Sequence, residues 1–299
     1  MHSIRRGIGP LFVFFAVGFL FADAGVKLRP MAPISVDANG ARMQKPEGVG
    51  CNRDRVVVAD TGNGRLLPYT LSQDVISAGE AITLPELPYP THVAVNSKGE
   101  ILAVDRKLRR VARLSPSGEF LGYLELGPDD SRVNAVPWSV KVDREDRIYV
   151  LDTYRGRVLV LNPDGSAQRE IALPERHGFV ADIAADSLGV VYAIDSTEKV
   201  LLHAEKGQDR FVPLTERLHE EMDFPTSVAA GAGEIFVADR NGGGIVVFGR
   251  DGSYRGRQSS MGWKEGYLRY PSALCLDEQG DLFVADRENN RVQAFFVIK

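Results

Sequence analysis

One short pattern recurs six times along this chain: an apolar run that ends in an aspartate. We call these residues the landmark aspartates, and they are Asp60, Asp105, Asp152, Asp195, Asp239 and Asp286. They follow one another at intervals of 43 to 47 residues, a period typical of the blades of a β-propeller. Because the pattern spans most of the chain, the fold must be built from six similar units.

Residues 137–173 illustrate the order within one unit. Three apolar segments, PWSVKVD, RIYVLD and VLVLN, are followed by the more polar segment SAQREIAL, with short turns between them. Polarity rises towards the last segment, as expected if the first strand lines the axis and the fourth faces solvent. The sequence therefore predicts an all-β fold, a six-bladed β-propeller with four-stranded antiparallel blades.

Residues 46–298 resemble the NHL-repeat family. The segment PSALCLDEQGDLFVADRENNRVQAFF is close to a consensus repeat. An arginine also stands five residues after four of the landmark aspartates, at Arg65, Arg110, Arg157 and Arg291. Some cytoplasmic relatives bind nucleic acid, but the net charge of −4 and the export signal described next argue against that partner here.

The first 24 residues have the features of a signal peptide. Arg5 and Arg6 precede the apolar run Leu11–Ala22, and Ala22-Asp23-Ala24 forms a small-residue cleavage site. The run has 12 residues, whereas a bilayer-spanning helix needs about 20. We therefore expect a periplasmic or extracellular protein that does not span the membrane after cleavage; an uncleaved anchor is the alternative.

The remaining chain divides into an N-terminal segment, residues 25–45, and the propeller, residues 46–299. The sixth unit ends after its third strand, near Ile298. We predict that residues near Pro30–Asp37 pair onto this blade as its fourth strand and so close the ring. We expect a monomer.

The chain has two cysteines, Cys51 and Cys275, in the first strands of the first and last units. Closing the ring makes these units neighbours. In an oxidising compartment the two thiols could form a disulfide that seals the ring, and two buried free thiols are the alternative.

The position two residues after the start of each unit is expected to face the central channel. It is occupied by Gly48, His92, Ser139, Asp182, Ser227 and Ala273. His92 and Asp182 are candidates for acid–base catalysis or for binding a divalent metal ion, the one cofactor that the sequence suggests. Two ligands are too few for a catalytic zinc, which normally takes three from the protein. The alternative is that small polar residues occupy these positions because they fit a narrow channel.

The loops on one face of the propeller vary in residues that suit ligand binding. We predict a ligand-binding face formed by Arg106, Arg109, Tyr154, Arg155, Arg240, Arg287 and Tyr267. Arginines beside aromatic residues are typical of binding hot spots. The aromatic residues Trp138, Phe179 and Phe224, in contrast, are expected to pack between blades, and the landmark aspartates to hold loops in place.

These observations favour an exported, non-catalytic binding or scaffold propeller that recognises a protein, peptide or glycan on its loop face. The alternative is a metal-dependent propeller hydrolase or lyase with its site at the channel mouth, near His92 and Asp182. A structural component of an envelope complex is a third interpretation.

Overall fold

A computed structural model describes residues 25–72, 75–127, 135–231 and 233–298. The predicted signal peptide, residues 1–24, lies outside the described residues. The strands are β1 (Lys27–Pro30), β2 (Gly48–Cys51), β3 (Arg55–Asp60), β4 (Arg65–Ser72), β5 (Val75–Ala78), β6 (Pro90–Val95), β7 (Ile101–Asp105), β8 (Arg110–Leu114), β9 (Phe120–Tyr123), β10 (Pro137–Val142), β11 (Ile148–Asp152), β12 (Arg157–Leu161), β13 (Ala167–Ala172), β14 (Val180–Ala185), β15 (Val191–Asp195), β16 (Val200–Ala204), β17 (Val212–Pro213), β18 (Pro225–Ala230), β19 (Glu234–Asp239), β20 (Gly244–Gly249), β21 (Tyr254–Gln258), β22 (Pro271–Leu276), β23 (Asp281–Asp286) and β24 (Arg291–Ile298).

The strands form six four-stranded antiparallel sheets, which are the blades. Blades 1 to 5 are β2–β5, β6–β9, β10–β13, β14–β17 and β18–β21, and blade 6 combines β22–β24 with β1. The first strand of each blade lies innermost and contacts the first strands of both neighbouring blades, including β2 against β22. The predicted six-bladed all-β propeller is confirmed.

The core lies between the blades, because the middle strands are covered on both faces. In β3, for example, the four residues from Val56 to Ala59 are all fully buried. The buried clusters each join two adjacent blades, as where Tyr149 and Leu151 of blade 3 pack with Ile183 of blade 4. Burying one such aliphatic side chain contributes roughly 1.5–3 kcal/mol, so the repeated seams hold the ring together.

The N-terminal segment closes the ring, but earlier in the chain than predicted. β1 pairs with β24 in a register that joins Lys27 to Ile298 and Pro30 to Phe295. We predicted a strand near Pro30–Asp37; instead the ladder ends at Pro30, and beyond it a single bridge joins Ile34 to Val292. Proline has no N–H to donate, so Pro30 and Pro33 prevent a continuous ladder across the predicted segment.

The seam between blades 1 and 6 also carries a covalent link. Cys51 of β2 and Cys275 of β22 form a disulfide, with their Cα atoms 5.9 Å apart. The seam is thus joined by a backbone ladder at the outer rim and by a disulfide near the axis. Among the described residues, no helix is long and apolar enough to span a membrane.

Candidate functional site

The landmark aspartates anchor one face of the propeller. We call it the upper face; it is formed by the loops that lead into the first strands and those that follow the second strands. Each landmark aspartate is at most 2% exposed. Each accepts a backbone N–H from the loop leading into its own blade, as in Gln44 N to Asp60 and Tyr89 N to Asp105, both 2.6 Å. Three also bind the arginine five residues on, at 2.7 to 3.1 Å.

Asp182 is the centre of a hydrogen-bond network inside the channel. Its carboxylate accepts the hydroxyls of Ser139 and Ser227, each at 2.5 Å, and the Val228 backbone N–H at 3.2 Å. The Lys141 ammonium lies 3.0 Å from the same carboxylate. Burial alone would raise the pKa of Asp182, but Lys141, His92 and the two serines bring it below its usual value. The network ties blades 3, 4 and 5 together.

His92 lies in the same channel as a neutral imidazole. It is 8% exposed, and burial lowers its pKa to about 4 despite the opposing charge of Asp182. Its Nδ1 is 3.4 Å from the Thr91 hydroxyl, and its ring centroid is 6.5 Å from that of Trp138. Within the described ranges, no group of three or more histidine, cysteine, aspartate or glutamate side chains could hold a metal ion. His92 and Asp182 thus stay two candidate ligands without a third, and the oxygens of Asp182 already have partners.

Arg106 is the best-positioned cation at the upper mouth of the channel. Its guanidinium lies 4.0 Å above the ring of Trp138, which in turn meets Phe179 edge-on at 4.8 Å. Burial lowers the pKa of Arg106, the charge of Glu47 opposes that shift, and the charge of Arg240 adds a smaller lowering effect. Arg106 belongs to blade 2 and Arg240 to blade 5, on opposite sides of the six-membered ring. The two cations therefore interact across the mouth.

The glutamates at this mouth form ion pairs with arginines. Glu47 lies 3.8 Å from Arg106 and 3.4 Å from Arg287, which also pairs with Glu288. Among the described residues, the Arg240 side chain has no hydrogen bond or ion pair of its own. The mouth therefore carries more positive than negative charge, in a partly buried setting where each charge acts strongly.

The other predicted residues are exposed on upper-face loops. Tyr154 is 60% exposed, and Tyr267 is 44% exposed on the connection between blades 5 and 6. Arg109 has a left-handed backbone, with φ 55°. Arg155 follows Tyr154, and its backbone N–H donates to Asp152 at 3.4 Å.

Sequence reasoning missed two members of the upper mouth. Glu47 was not singled out, although it occupies the same place, one residue after the opening proline, as Trp138 does in blade 3. Trp138 was expected to pack between blades, and it does pack against the cluster that joins blades 3 and 4; its second contact, beneath Arg106, was not foreseen. Phe179 was also expected to pack between blades, and it meets Trp138 of blade 3 edge-on while 38% exposed; Phe224, for which packing was likewise expected, is 38% exposed.

The larger cavity of the channel opens on the opposite, lower face. We call it the lower funnel; it has a volume of about 370 Å³ and is lined by the turns between first and second strands. A neck of about 100 Å³ lies deeper in the channel, with Lys141 as the one charged residue of its wall. No residue of the lower face was proposed from sequence as a ligand-binding site.

Comparisons with known proteins agree with this architecture. Residues 268–295 match the NHL repeat family model. Protein lin-41 of Caenorhabditis elegans is 29% identical over 139 residues, which cover 46% of this chain. The match covers 10% of lin-41, so this chain corresponds to a small part of that protein.

Solved structures of enzymes share the fold at low sequence identity. A gluconolactonase from Xanthomonas campestris superposes with a TM-score of 0.65 at 15% identity, covering 93% of this chain and 99% of that chain. A streptogramin B lyase gives 0.61 at 14% identity, covering 92% and 98%. The PQQ-bound aldose sugar dehydrogenase from Streptomyces coelicolor gives 0.63 at 12% identity, covering 92% and 99%. These likenesses establish the propeller fold alone.

Proposed function

We propose that this six-bladed propeller with an NHL repeat is an exported, non-catalytic binding or scaffold protein. Its upper mouth would recognise an anionic group on a protein, peptide or glycan. The observation that carries the proposal is Arg106, whose guanidinium is stacked on Trp138 at the upper mouth, with a second cation, Arg240, on the opposite blade. Two like charges at one mouth repel each other, and an anion bound there relieves that repulsion.

The orientation of Arg106 supports this role. Stacking on Trp138 fixes the plane of the guanidinium, and Glu47 holds one edge at 3.8 Å. A planar guanidinium can bind a carboxylate, phosphate or sulfate through two parallel hydrogen bonds. An arginine fixed in this way loses little side-chain entropy when it binds an anion.

Exposed aromatic rings surround the two arginines and suggest what flanks the anion. Tyr89, Phe179, Phe224 and Tyr270 stand next to the starts of four first strands, and each is 38% to 41% exposed. Aromatic side chains offer large contact areas at low entropic cost and are enriched at binding hot spots. We therefore expect a ligand in which the acidic group adjoins a planar or apolar group.

Export is the second part of the proposal. It is supported by the Cys51–Cys275 disulfide, a bond that persists in oxidising compartments and is rare in the cytosol. The intact mass of the protein recovered from fractionated cells tests it. We expect a chain that begins at Gly25 and gains two hydrogens on reduction, and a full-length, reduced chain would contradict export.

The binding function is tested by screening arrays of acidic peptides and of sulfated or uronic-acid glycans. Wild type is compared with R106Q/R240Q and with R144Q, which removes an arginine from the lower face. We expect ligands with acidic and aromatic groups to bind wild type and R144Q but not the double variant. Equal binding by all three proteins, or turnover of a bound ligand, would overturn the proposal.

A further inference from the structure

The connection between blades 5 and 6 exposes a cluster of apolar side chains on the upper face. We call this connection, residues 259–270, the aromatic loop. Four of its large apolar side chains are 38% to 74% exposed, whereas the connections leading into blades 2, 4 and 5 expose one each. These four are Met261, Trp263, Tyr267 and Tyr270. Apolar side chains that are clustered and exposed in this way mark a contact surface.

The backbone of the aromatic loop is held in place by the interior of blade 6. Leu268 is fully buried. Arg291 donates to the carbonyl oxygens of Lys264 and Tyr267, both at 2.8 Å. The same guanidinium pairs with the landmark aspartate Asp286 at 2.7 Å. The exposed rings therefore stand on a fixed backbone, so that little entropy is lost in ordering this loop when a ligand binds.

The aromatic loop lies beside two arginines of the upper mouth. Gly243, three residues after Arg240, packs so closely on the loop that an added methyl group would lie 2.5 Å from the Met261 Cα. Asn289, two residues after Arg287, donates its side-chain N–H to a backbone carbonyl of the loop at 2.9 Å. The loop is thus fixed between the segments that carry Arg240 and Arg287, and it continues the surface of the mouth.

The aromatic loop leads from the outer rim of the propeller to the mouth. It connects β21, the outermost strand of blade 5, to β22, the innermost strand of blade 6. At its inner end Tyr270 directly precedes β22, and further out Gly266 lies against Pro30 of β1, the outermost strand of blade 6. Adjacent strands are about 4.8 Å apart, so the innermost and outermost strands of a blade are about 14 Å apart. A ligand that follows this path is an extended chain rather than a single small group.

The side chains of the aromatic loop suit a sugar chain that carries negative charge. Lys264 and Arg269 outnumber the one carboxylate of the loop, Glu265. The Lys264 ammonium lies 5.9 Å from the centroid of the Trp263 ring, which is 74% exposed. The negative face of an aromatic ring attracts the polarised C–H groups on one face of a sugar ring. Ring faces flanked by cations therefore match sugar rings that bear carboxylate or sulfate groups.

An extended peptide fits this surface less well. Such peptides commonly bind by pairing with free N–H and C=O groups at the edge of a sheet. In the aromatic loop, the carbonyls of Gly262, Lys264 and Tyr267 already accept side-chain N–H groups from blade 6. The Gly262 N–H donates to the Leu268 carbonyl at 3.0 Å. Recognition by this loop must therefore come from its ring faces and charges.

We infer that the upper mouth and the aromatic loop together bind an acidic polysaccharide. One uronic acid or sulfated sugar places its anionic group at Arg106 and Arg240, and the following sugar rings stack on the exposed rings of the loop as far as Trp263. This inference rests on the proposed function and names the ligand class of the same site. A single acidic sugar fills only the mouth, so affinity should rise with the length of the chain.

Tryptophan fluorescence tests the inference, because the chain has two tryptophans, Trp138 and Trp263. Wild type is titrated with tetrasaccharides of polygalacturonate, which carries carboxylates, and of κ-carrageenan, which carries sulfates. Maltotetraose is the uncharged control. We expect at least one acidic tetrasaccharide to bind and to protect Trp263 from quenching by acrylamide, and W263F to lose that protection. Maltotetraose should not protect, and the matching acidic monosaccharide should bind at least tenfold more weakly.

The key variant is W263A, which should weaken binding of the acidic tetrasaccharide at least tenfold. Its melting temperature should not change, because a side chain that is 74% exposed contributes little to packing. The matched control is Y254A, which removes an aromatic side chain that is 49% exposed on the outer strand of blade 5. Y254A should change the affinity less than twofold.

The double variant R106Q/R240Q separates this inference from the proposed function. Loss of tetrasaccharide binding in both W263A and R106Q/R240Q supports the inference. If W263A binds like wild type while R106Q/R240Q does not, the inference is overturned and the mouth remains an anion site. If R106Q/R240Q binds like wild type, the proposed function fails as well. Failure of both acidic tetrasaccharides to bind, or equal binding of maltotetraose, would also overturn the inference.

Discussion

At both mouths of the channel, aspartates fix the backbone of the loops, but the two mouths carry opposite charge. The lower funnel is lined by more carboxylates than cations. At the upper mouth, landmark aspartates accept backbone N–H groups and fix the loops, and arginines then occupy positions that differ between blades. At the lower mouth, aspartates at the ends of first strands fix tight turns in the same way, and their second oxygens are paired differently from blade to blade. Repetition thus secures the backbone, and departures from it distinguish the two mouths.

Asp182 should give the largest effect, because it lies between the two mouths and connects three blades. D182A removes the acceptor of Ser139 and Ser227 and leaves Lys141 without its counter-ion. Breaking one partner of a buried charged network costs about 3–5 kcal/mol, so we expect this loss in the free energy of unfolding in urea. A loss below about 1 kcal/mol would mean that the network is not needed, and S227A should cost much less than D182A.

The disulfide should rank second. The double variant C51A/C275A removes the covalent link of the closing seam while β1 still pairs with β24. Loss of a native disulfide costs about 2–4 kcal/mol, so wild type treated with reductant should melt like the double variant. The loss should appear as a lower free energy of unfolding in urea, and a loss below about 1 kcal/mol would mean that the ring is held closed without the covalent link.

The third effect depends on pH. The folded-state pKa of Asp277 is about 6, above its ordinary value of 3.8, so the folded protein favours the protonated form. Its contribution to stability is full below about pH 4 and is lost as pH rises through 6, by at most about 3 kcal/mol. The difference in unfolding free energy between D277N and wild type should therefore grow from pH 4 to pH 7. In blades 3 and 4 a tyrosine hydroxyl binds the second oxygen of the equivalent aspartate, where blade 6 has Phe283. F283Y should therefore reduce that growth, and a difference independent of pH would contradict it.

The smallest effect concerns the loop backbone of the upper face. The fourth residue after each landmark aspartate has a left-handed backbone, and it is glycine in blades 1, 3 and 5 but Arg109 in blade 2. We expect R109G to stabilise the protein by about 0.5–1 kcal/mol, because side chains disfavour this conformation. L108G, one residue earlier, should not stabilise, and thermal melting measures both. A destabilised R109G would show that its side chain makes a needed contact.

The repeat made the architecture predictable, since aligned units give both the blade count and the residues that face the channel. His92, Ser139, Asp182 and Ser227 indeed occupy the same place in their ladders. A ring-closing strand was predicted, but it was placed too far along the chain, because Pro30 and Pro33 prevent a continuous ladder across the predicted segment. Glu47 and Phe283 escaped notice, because their importance depends on contacts with residues of other strands or blades.

Affinity at the upper mouth tests the central claim most directly. The strongest acidic ligand from the arrays is titrated into wild type, R240Q and R144Q at the same salt concentration. We predict at least tenfold weaker binding by R240Q and a change of less than about twofold for R144Q, at unchanged melting temperature, because a charge-assisted hydrogen bond contributes roughly 1.5–3 kcal/mol. Equal weakening in both variants would mean that the ligand responds to net charge alone and that the upper mouth is not its site.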